Sequence, residues 1–169
     1  MLKYLELLLF KITHAWNWLR RWFSPGGVQG ADMTEIVAGL WLGGFPTVLR
    51  PNMAVMNMAE EDIDPVPLGD FYVWVREPDL PPAPTPETLQ WLVDTIAAWL
   101  RMGRVVLCHC DEGNHRSATV VCAFIMASMG LSAERALAFV QSKRVTAIPH
   151  SWQRAALQRY EEFLKSGSP

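Results

Sequence analysis

A cysteine and an arginine, separated by five residues, lie between an apolar run and a long helical pattern. Cys110 follows the strand-like segment 105–109, and Arg116 stands just before an apolar helical segment. A tight loop at the start of a helix directs backbone N–H groups at one point, where the helix dipole also favours negative charge. The same field stabilises a thiolate, which is a nucleophile. The spacing therefore predicts phosphate-ester hydrolysis through a phosphocysteine intermediate.

The other residues of this predicted phosphate loop have separate tasks. Arg116 carries a planar guanidinium that matches two phosphoryl oxygens. Gly113 permits a positive φ, which lets the loop turn its N–H groups inward. Ser117 is predicted to donate to the sulfur and help the thiolate leave, and simple helix capping is the alternative. The remaining loop residues, expected to contact the phosphate, are Asp111, Glu112, Asn114 and His115.

The segment 109–117, HCDEGNHRS, resembles the His-Cys-x-x-Gly-x-x-Arg-Ser signature of the cysteine-dependent protein phosphatases, most closely the dual-specificity branch. Four further segments resemble the opening strands and closing helices of such domains: 36–44, 54–58, 131–136 and 144–160. The resemblance extends from about Met33 to Leu164. It implies the α/β cysteine phosphatase fold, a central, mostly parallel sheet of four to five strands flanked by helices. It also implies hydrolysis without a metal or other cofactor.

This family keeps an aspartate on a loop roughly thirty residues before the cysteine. Asp79 lies at that distance from Cys110, in a proline-rich stretch, and the resemblance implies that it protonates the leaving oxygen. A turn-forming Asp is the alternative interpretation. Glu77 is the alternative acid, and Asp70 is less suitable because it precedes the predicted strand. The equivalent of His109 orients the loop through hydrogen bonds in the family and transfers no proton.

Several other side chains permit two interpretations. His115 contacts the substrate or is an exposed bystander, and His150 is predicted to cap the last helix. Cys108 is interpreted as a buried apolar side chain, with trapping of an oxidised Cys110 as a disulfide the alternative. Cys108, His109, Cys110 and His115 suit a metal in type, but adjacent strand residues face opposite sides and no second Cys or His pair follows at zinc-finger spacing. No metal site is predicted.

Composition limits the class of protein. The 169 residues suit a single catalytic domain, and half of them are apolar at a net charge of −2. That balance excludes a disordered chain and gives no sign of nucleic-acid binding. Three cysteines, an odd number, indicate a reducing compartment, so we expect a cytoplasmic location.

Residues 1–32 are predicted to stand apart from a catalytic domain of residues 33–169. Segment 2–23 predicts an amphipathic helix, and the Ser-Pro-Gly-Gly sequence at 24–27 ends it within a linker. The helix lacks the roughly 20 apolar residues of a membrane span. It either lies on a membrane surface, which would make the protein peripheral, or packs on the catalytic domain or a second copy.

Strand and helix patterns alternate after this segment, which predicts a mostly parallel sheet covered on both faces. The predicted strands are 36–42, 54–58, 71–75 and 104–108, and the predicted helices are 87–101, 114–129, 132–141 and 149–165. The reactive loop then lies at the carboxyl end of a central strand, where such sheets bind ligands.

Two acidic residues in the loop bear on the substrate. Asp111 and Glu112 would repel a polyanion, which argues against highly phosphorylated inositides, although their side chains can also point outward. Phosphotyrosine, phosphoserine and phosphothreonine proteins are the predicted substrates. A lipid phosphate monoester, such as phosphatidylglycerophosphate or a phosphoinositide, is the second candidate. A phosphate-recognition module without turnover is the third.

Overall fold

A mixed five-stranded sheet carries the loop at its centre in the computed structural model, which describes residues 32–46, 52–62 and 71–167. The strands are β1 (Met33–Val37), β2 (Leu40–Gly43), β3 (Met53–Asn57), β4 (Tyr72–Trp74) and β5 (Val105–His109), in the spatial order β1-β2-β5-β3-β4. β1 pairs antiparallel with β2, and the other neighbours are parallel. The predicted fold class is confirmed. Asp70, the predicted helix 2–23 and most of its linker lie outside the described residues.

The predicted strand 36–42 is wrong, because the chain reverses within it. β1 and β2 form a hairpin across Ala38 and Gly39, and Gly39 has a φ of +82°. Its N–H donates to the Glu35 carboxylate at 2.9 Å. The residues on both sides of the turn are apolar and read as one continuous strand. Gly39, which can adopt a positive φ, was the main sequence signal for a turn.

All four predicted helices are confirmed: α1 (Pro86–Arg101), α2 (Arg116–Met129), α3 (Ala133–Lys143) and α4 (Ser151–Ser166). Thr85 caps α1 by accepting from the Thr88 N–H at 3.3 Å, with Pro86 in the first turn. No single described helix is long and apolar enough to cross a membrane. Taken together across the sharp bend between them, α2 and α3 pass that test on length and composition alone.

The sheet was predicted to be covered on both faces, and the four described helices cover one of them. Side chains of all four pack with one face of the sheet, represented by Leu42, Met56 and Cys108. Alternate strand residues on the opposite face form a smaller buried cluster around Val55 and Leu107, which includes no residue of the described helices. α2 is buried along most of its length and fixes the carboxyl end of β5 against the other helices.

Candidate active site

The loop of residues 110–116 joins β5 to α2 and holds the predicted nucleophile at its base. Cys110 is 2% exposed and directly follows β5 at the carboxyl end of the parallel strands. The Ser117 hydroxyl, in the first turn of α2, donates to the Cys110 sulfur at 3.2 Å. A hydrogen-bond donor on the sulfur and the positive end of α2 both stabilise a thiolate. The serine therefore contacts the sulfur, as the sequence analysis expects.

Five consecutive carbonyl groups of this loop point away from its hollow. They accept hydrogen bonds of 2.8–3.1 Å: Asp111 from the Phe45 N–H, Glu112 and Gly113 from Arg144, Asn114 from the Ile148 N–H, and His115 from the Thr119 N–H. In a trans peptide the C=O and the following N–H point in opposite directions. The N–H groups of residues 112–116 therefore face the hollow, where they form an anion-binding nest at a helix N-terminus.

Arg144 supports the loop from behind, and sequence analysis did not single it out. Its side chain is 5% exposed and donates to the carbonyls of Gly113 at 3.1 Å and Glu112 at 2.9 Å. The Asp32 carboxylate pairs with its two terminal nitrogens at 2.9 and 2.6 Å, so the buried charge is compensated. Because both contacts cross long stretches of chain, no local spacing marks Arg144 for this task.

Gly113 lies against two glycines at the end of β2. Its φ is +72°, and a Cβ built there would lie 2.3 Å from the Gly43 carbonyl carbon and 2.7 Å from the Gly44 nitrogen. Both neighbours are backbone atoms, which cannot move without displacing the strand. The pair Gly43–Gly44, seen in the sequence only as part of a strand-like segment, thus makes room for the loop.

Arg116 is held by two hydrogen bonds and lies near a third acidic residue. Nη2 donates to the Asp111 carboxylate at 2.6 Å, Nη1 donates to the Glu77 carbonyl at 3.0 Å, and Nε lies 3.9 Å from Asp79 Oδ1. Burial lowers the pKa of the guanidinium, but the negative charges of Cys110, Asp111 and Asp79 outweigh it and raise the pKa above its usual range. Arg116 is therefore permanently charged.

The two acidic loop residues point in different directions. Asp111 turns inward and occupies an arm of Arg116 that a phosphoryl oxygen would also use, whereas Glu112 is exposed and accepts from the Asn114 side chain at 3.2 Å. An incoming phosphate must therefore share the Arg116 guanidinium with the Asp111 carboxylate, or displace that carboxylate from it.

Asp79 reaches the rim of the same site from the proline-rich loop after β4. Its Oδ2 lies 3.0 Å from His115 Nδ1, and its side chain is about one-third exposed (32%). Burial raises the pKa of the Glu77 carboxyl, against the charge of Arg116, and the charge of Asp79 raises it further. The geometry places Asp79 over the loop, and the raised pKa of Glu77 keeps that residue a candidate acid.

His150 precedes α4 as predicted, and its side chain also joins the site. Its backbone N–H donates to the Gln153 side chain at 2.8 Å. The imidazole Nε2 lies 3.7 Å from Asp79 Oδ1, and the ring centroid is 4.0 Å from that of His115. Trp152 stacks on the other side at 4.4 Å. His115 and His150 come together only through folding, since 34 residues separate them.

His109 and Cys108 lie beneath the loop in the core. His109 is fully buried, its Nδ1 is 3.4 Å from the Cys110 carbonyl oxygen, and its ring packs edge-on against Phe45. The Cys108 thiol points to the Ser117 carbonyl at 3.7 Å and is a free thiol. Burial, and to a lesser degree the charge of Cys110, raises the pKa of Cys108 well above its usual value. The described geometry thus fits the apolar-packing interpretation of Cys108.

Substitution of Gly113 by alanine tests the close approach of the loop to β2. Gly103 is the matched control, because its φ is +74° and a Cβ there would meet nothing within 4 Å. Gly103→Ala should cost about 1 kcal/mol from the left-handed backbone alone. Gly113→Ala should cost at least about 2 kcal/mol more and abolish most activity. Thermal unfolding and phosphate-ester turnover are the measurements, and equal losses in the two variants would contradict the packing argument.

Comparison with known proteins agrees with this geometry. Residues 52–163 match the family model described as dual specificity phosphatase, catalytic domain. A putative tyrosine phosphatase 123R of Invertebrate iridescent virus 6 is 31% identical over 139 residues, which cover 80% of this chain and 96% of the viral protein. Dual specificity protein phosphatase 15 of Rattus norvegicus is 29% identical over 141 residues, and the match spans 80% of this chain and 58% of the rat protein.

A solved structure gives the same overall fold. PTPMT1 in complex with PI(5)P superposes with a TM-score of 0.72 at 20% identity, over 82% of this chain and 99% of that one. At this identity the likeness concerns the fold alone. The family match and the viral relative carry the assignment, and this chain belongs to the dual specificity phosphatase family.

Proposed function

We propose that this protein hydrolyses phosphate monoesters on tyrosine, serine and threonine side chains of proteins through a phosphocysteine intermediate. The observation that carries the proposal is the outward hydrogen bonding of the five carbonyls of residues 111–115, which turns five N–H groups toward an anion beside Cys110 and Arg116. Thiolate, guanidinium and amide nest together match the needs of phosphoryl transfer, which are positioning and stabilisation of equatorial charge.

In the first step the Cys110 thiolate attacks phosphorus, an S–P bond forms and the ester P–O bond breaks. Asp79 gives its proton to the leaving oxygen. The loop N–H groups and Arg116 stabilise the charge on the equatorial oxygens. In the second step Asp79 takes a proton from water, the water oxygen attacks phosphorus, and the S–P bond breaks to release phosphate. The Ser117 hydroxyl, 3.2 Å from the sulfur, stabilises the departing thiolate.

The acidic lining supports a substrate with one phosphate. Asp111 already neutralises part of Arg116, and Glu112 adds charge at the rim, so each further phosphate on the ligand would meet repulsion. A protein phosphomonoester fits this balance best. A lipid phosphate monoester at a membrane surface is the second candidate, motivated by the amphipathic pattern of residues 2–23 and by the shared fold with PTPMT1, solved with PI(5)P.

Cys110→Ser tests whether the chain is an enzyme or a recognition module. The substitution removes the nucleophile, so release of 4-nitrophenol from its phosphate ester should fall to the background rate. Binding of a phosphopeptide should remain within about tenfold, since the amide nest and Arg116 are unchanged. If the unsubstituted chain releases no 4-nitrophenol, the module without turnover is the correct assignment.

Asp79→Asn and Glu77→Gln distinguish the two candidate acids. Loss of the true general acid should slow esters of poor leaving groups by about 10²–10⁴-fold and spare esters whose leaving group needs no proton. We expect this pattern for Asp79→Asn, measured as kcat/KM over a series of aryl phosphates, because kcat/KM reports formation of the phosphocysteine and not its hydrolysis, in which Asp79 also acts. Glu77→Gln is the matched control, with a uniform and smaller change. A reversal of the two patterns would transfer the role to Glu77.

A substrate panel tests the choice between protein and lipid. Phosphotyrosine and phosphothreonine peptides, phosphatidylglycerophosphate and a phosphoinositide are compared by kcat/KM under one set of conditions. The acidic lining leads us to expect the highest value for a phosphopeptide and the lowest for the phosphoinositide. Higher kcat/KM for phosphatidylglycerophosphate than for either peptide would overturn the protein assignment.

We propose a cytoplasmic location for the protein and one of two roles for its N-terminal segment. Residues 1–23 would bind a membrane surface through their apolar side, or else pack on the catalytic domain or on a second copy.

Flotation with anionic vesicles tests membrane contact. We expect the full chain to float and a shortened chain beginning at Gly30 to remain in the dense fraction, because the basic and tryptophan-rich segment is then missing. The shortened chain keeps Asp32, which pairs with Arg144. Absence of flotation, together with a monomeric mass, would favour packing on the catalytic domain.

A further inference from the structure

The rim of the active site holds three side chains of the types that bind zinc. Asp79, His115 and His150 each offer one ligand atom, and these atoms lie within 4.8 Å of one another. His115 Nδ1 is 3.0 Å from one Asp79 oxygen, and His150 Nε2 is 3.7 Å from the other. Zinc bonds of about 2.0–2.1 Å in a tetrahedral site require ligand atoms about 3.3 Å apart. The three ligand atoms, now within 4.8 Å of one another, would have to close to that spacing around an ion.

One atom of this group lacks the partner that its burial calls for. Asp79 Oδ1 is shielded from solvent and accepts no hydrogen bond from the described residues. A buried carboxylate oxygen without a donor is costly, and a metal ion satisfies it. Trp152 stacks on His150 and restricts its ring, as supporting residues commonly do for metal-bound histidines.

The surrounding charge permits a cation. Arg116 is the nearby positive group, with its Nε 3.9 Å from Asp79 Oδ1. Its charge is opposed by the Asp111 carboxylate at 2.6 Å and by Cys110. The acidic groups therefore outnumber the guanidinium at this rim.

The geometry points to an inhibitory zinc site formed by Asp79, His115 and His150, with the fourth position open to water. This inference rests on the proposed function, because it assigns zinc to the residue proposed as general acid. A bound ion occupies the Asp79 lone pairs and prevents the carboxyl from carrying the proton to the leaving oxygen. Zinc then acts as a reversible inhibitor whose effect depends on the leaving group, and it takes no part in the reaction.

Cobalt(II) binding to the full chain tests the site without measuring activity. Cys110→Ser is the background, because it removes the active-site thiol as a competing ligand. We expect saturable one-to-one binding with the visible absorption of tetrahedral cobalt, reversed by zinc. His150→Gln in this background should weaken binding at least about tenfold. His14→Gln, which changes a histidine outside the group, is the matched control and should leave the affinity within about twofold.

Thermal unfolding shows whether His150→Gln loses metal binding or simply fails to fold. Zinc should raise the Tm of the parent chain and of His14→Gln but not that of His150→Gln, since only a ligand bound to the folded state stabilises it. Equal cobalt affinity in His150→Gln and its parent would overturn the proposal. So would absence of cobalt binding to a parent chain that melts cooperatively.

Zinc inhibition of the unsubstituted enzyme distinguishes binding at this site from binding of zinc to the Cys110 thiolate. Measured as kcat/KM, which reports only formation of the phosphocysteine, zinc at Asp79 should inhibit reaction of phenyl phosphate at least about tenfold more strongly than that of an ester whose leaving group needs no proton. Equal inhibition of both esters would place the ion on Cys110 and overturn the assignment. If the metal-free chain hydrolyses neither ester, the proposed function fails, while the cobalt titration still decides whether the site exists.

Discussion

The direction of five peptide groups decides what this domain can bind. A loop that presents N–H groups to an anion must turn its carbonyls the other way, and buried carbonyls need donors. Those donors come from four places: the segment after β2, the first turn of α2, Arg144 and the chain leading to α4. The amide nest is thus held from outside, and the hollow is left to its ligand.

Charge in the site is balanced around Arg116. The guanidinium faces the anion nest, yet it is already paired with Asp111 and lies near Asp79. This arrangement keeps a buried cation from being left alone and sets a competition between carboxylate and phosphate for the same nitrogens. At the rim, the carboxylate of Asp79 and the imidazoles of His115 and His150 bring their lone pairs together. There a proton and a metal ion would compete for the same Asp79 carboxylate.

Much of the fold could be predicted because its signals are local. Helices α1–α4 follow from apolar spacing, and α1 also from Thr85 and Pro86, so their bounds moved by at most two residues. The hairpin at Gly39 was missed because both its strands are short, the residues beside the turn are apolar, and a single glycine marks the turn. The pattern also left open which face each described helix covers, since it shows that a strand is buried but not which element buries it.

For the candidate site, sequence alone determined what lies within one loop: Cys110, Arg116 and Ser117 are placed by their spacing, because a strand, a tight turn and a helix leave them few arrangements. Asp79 followed from resemblance. Folding decided the rest. Arg144 reaches the loop carbonyls, Gly43–Gly44 accommodate Gly113, and His150 meets His115 and Asp79. These contacts join residues that are distant along the chain, and their cause is packing and hydrogen-bond satisfaction in three dimensions, which leaves no periodic or local trace in a single sequence.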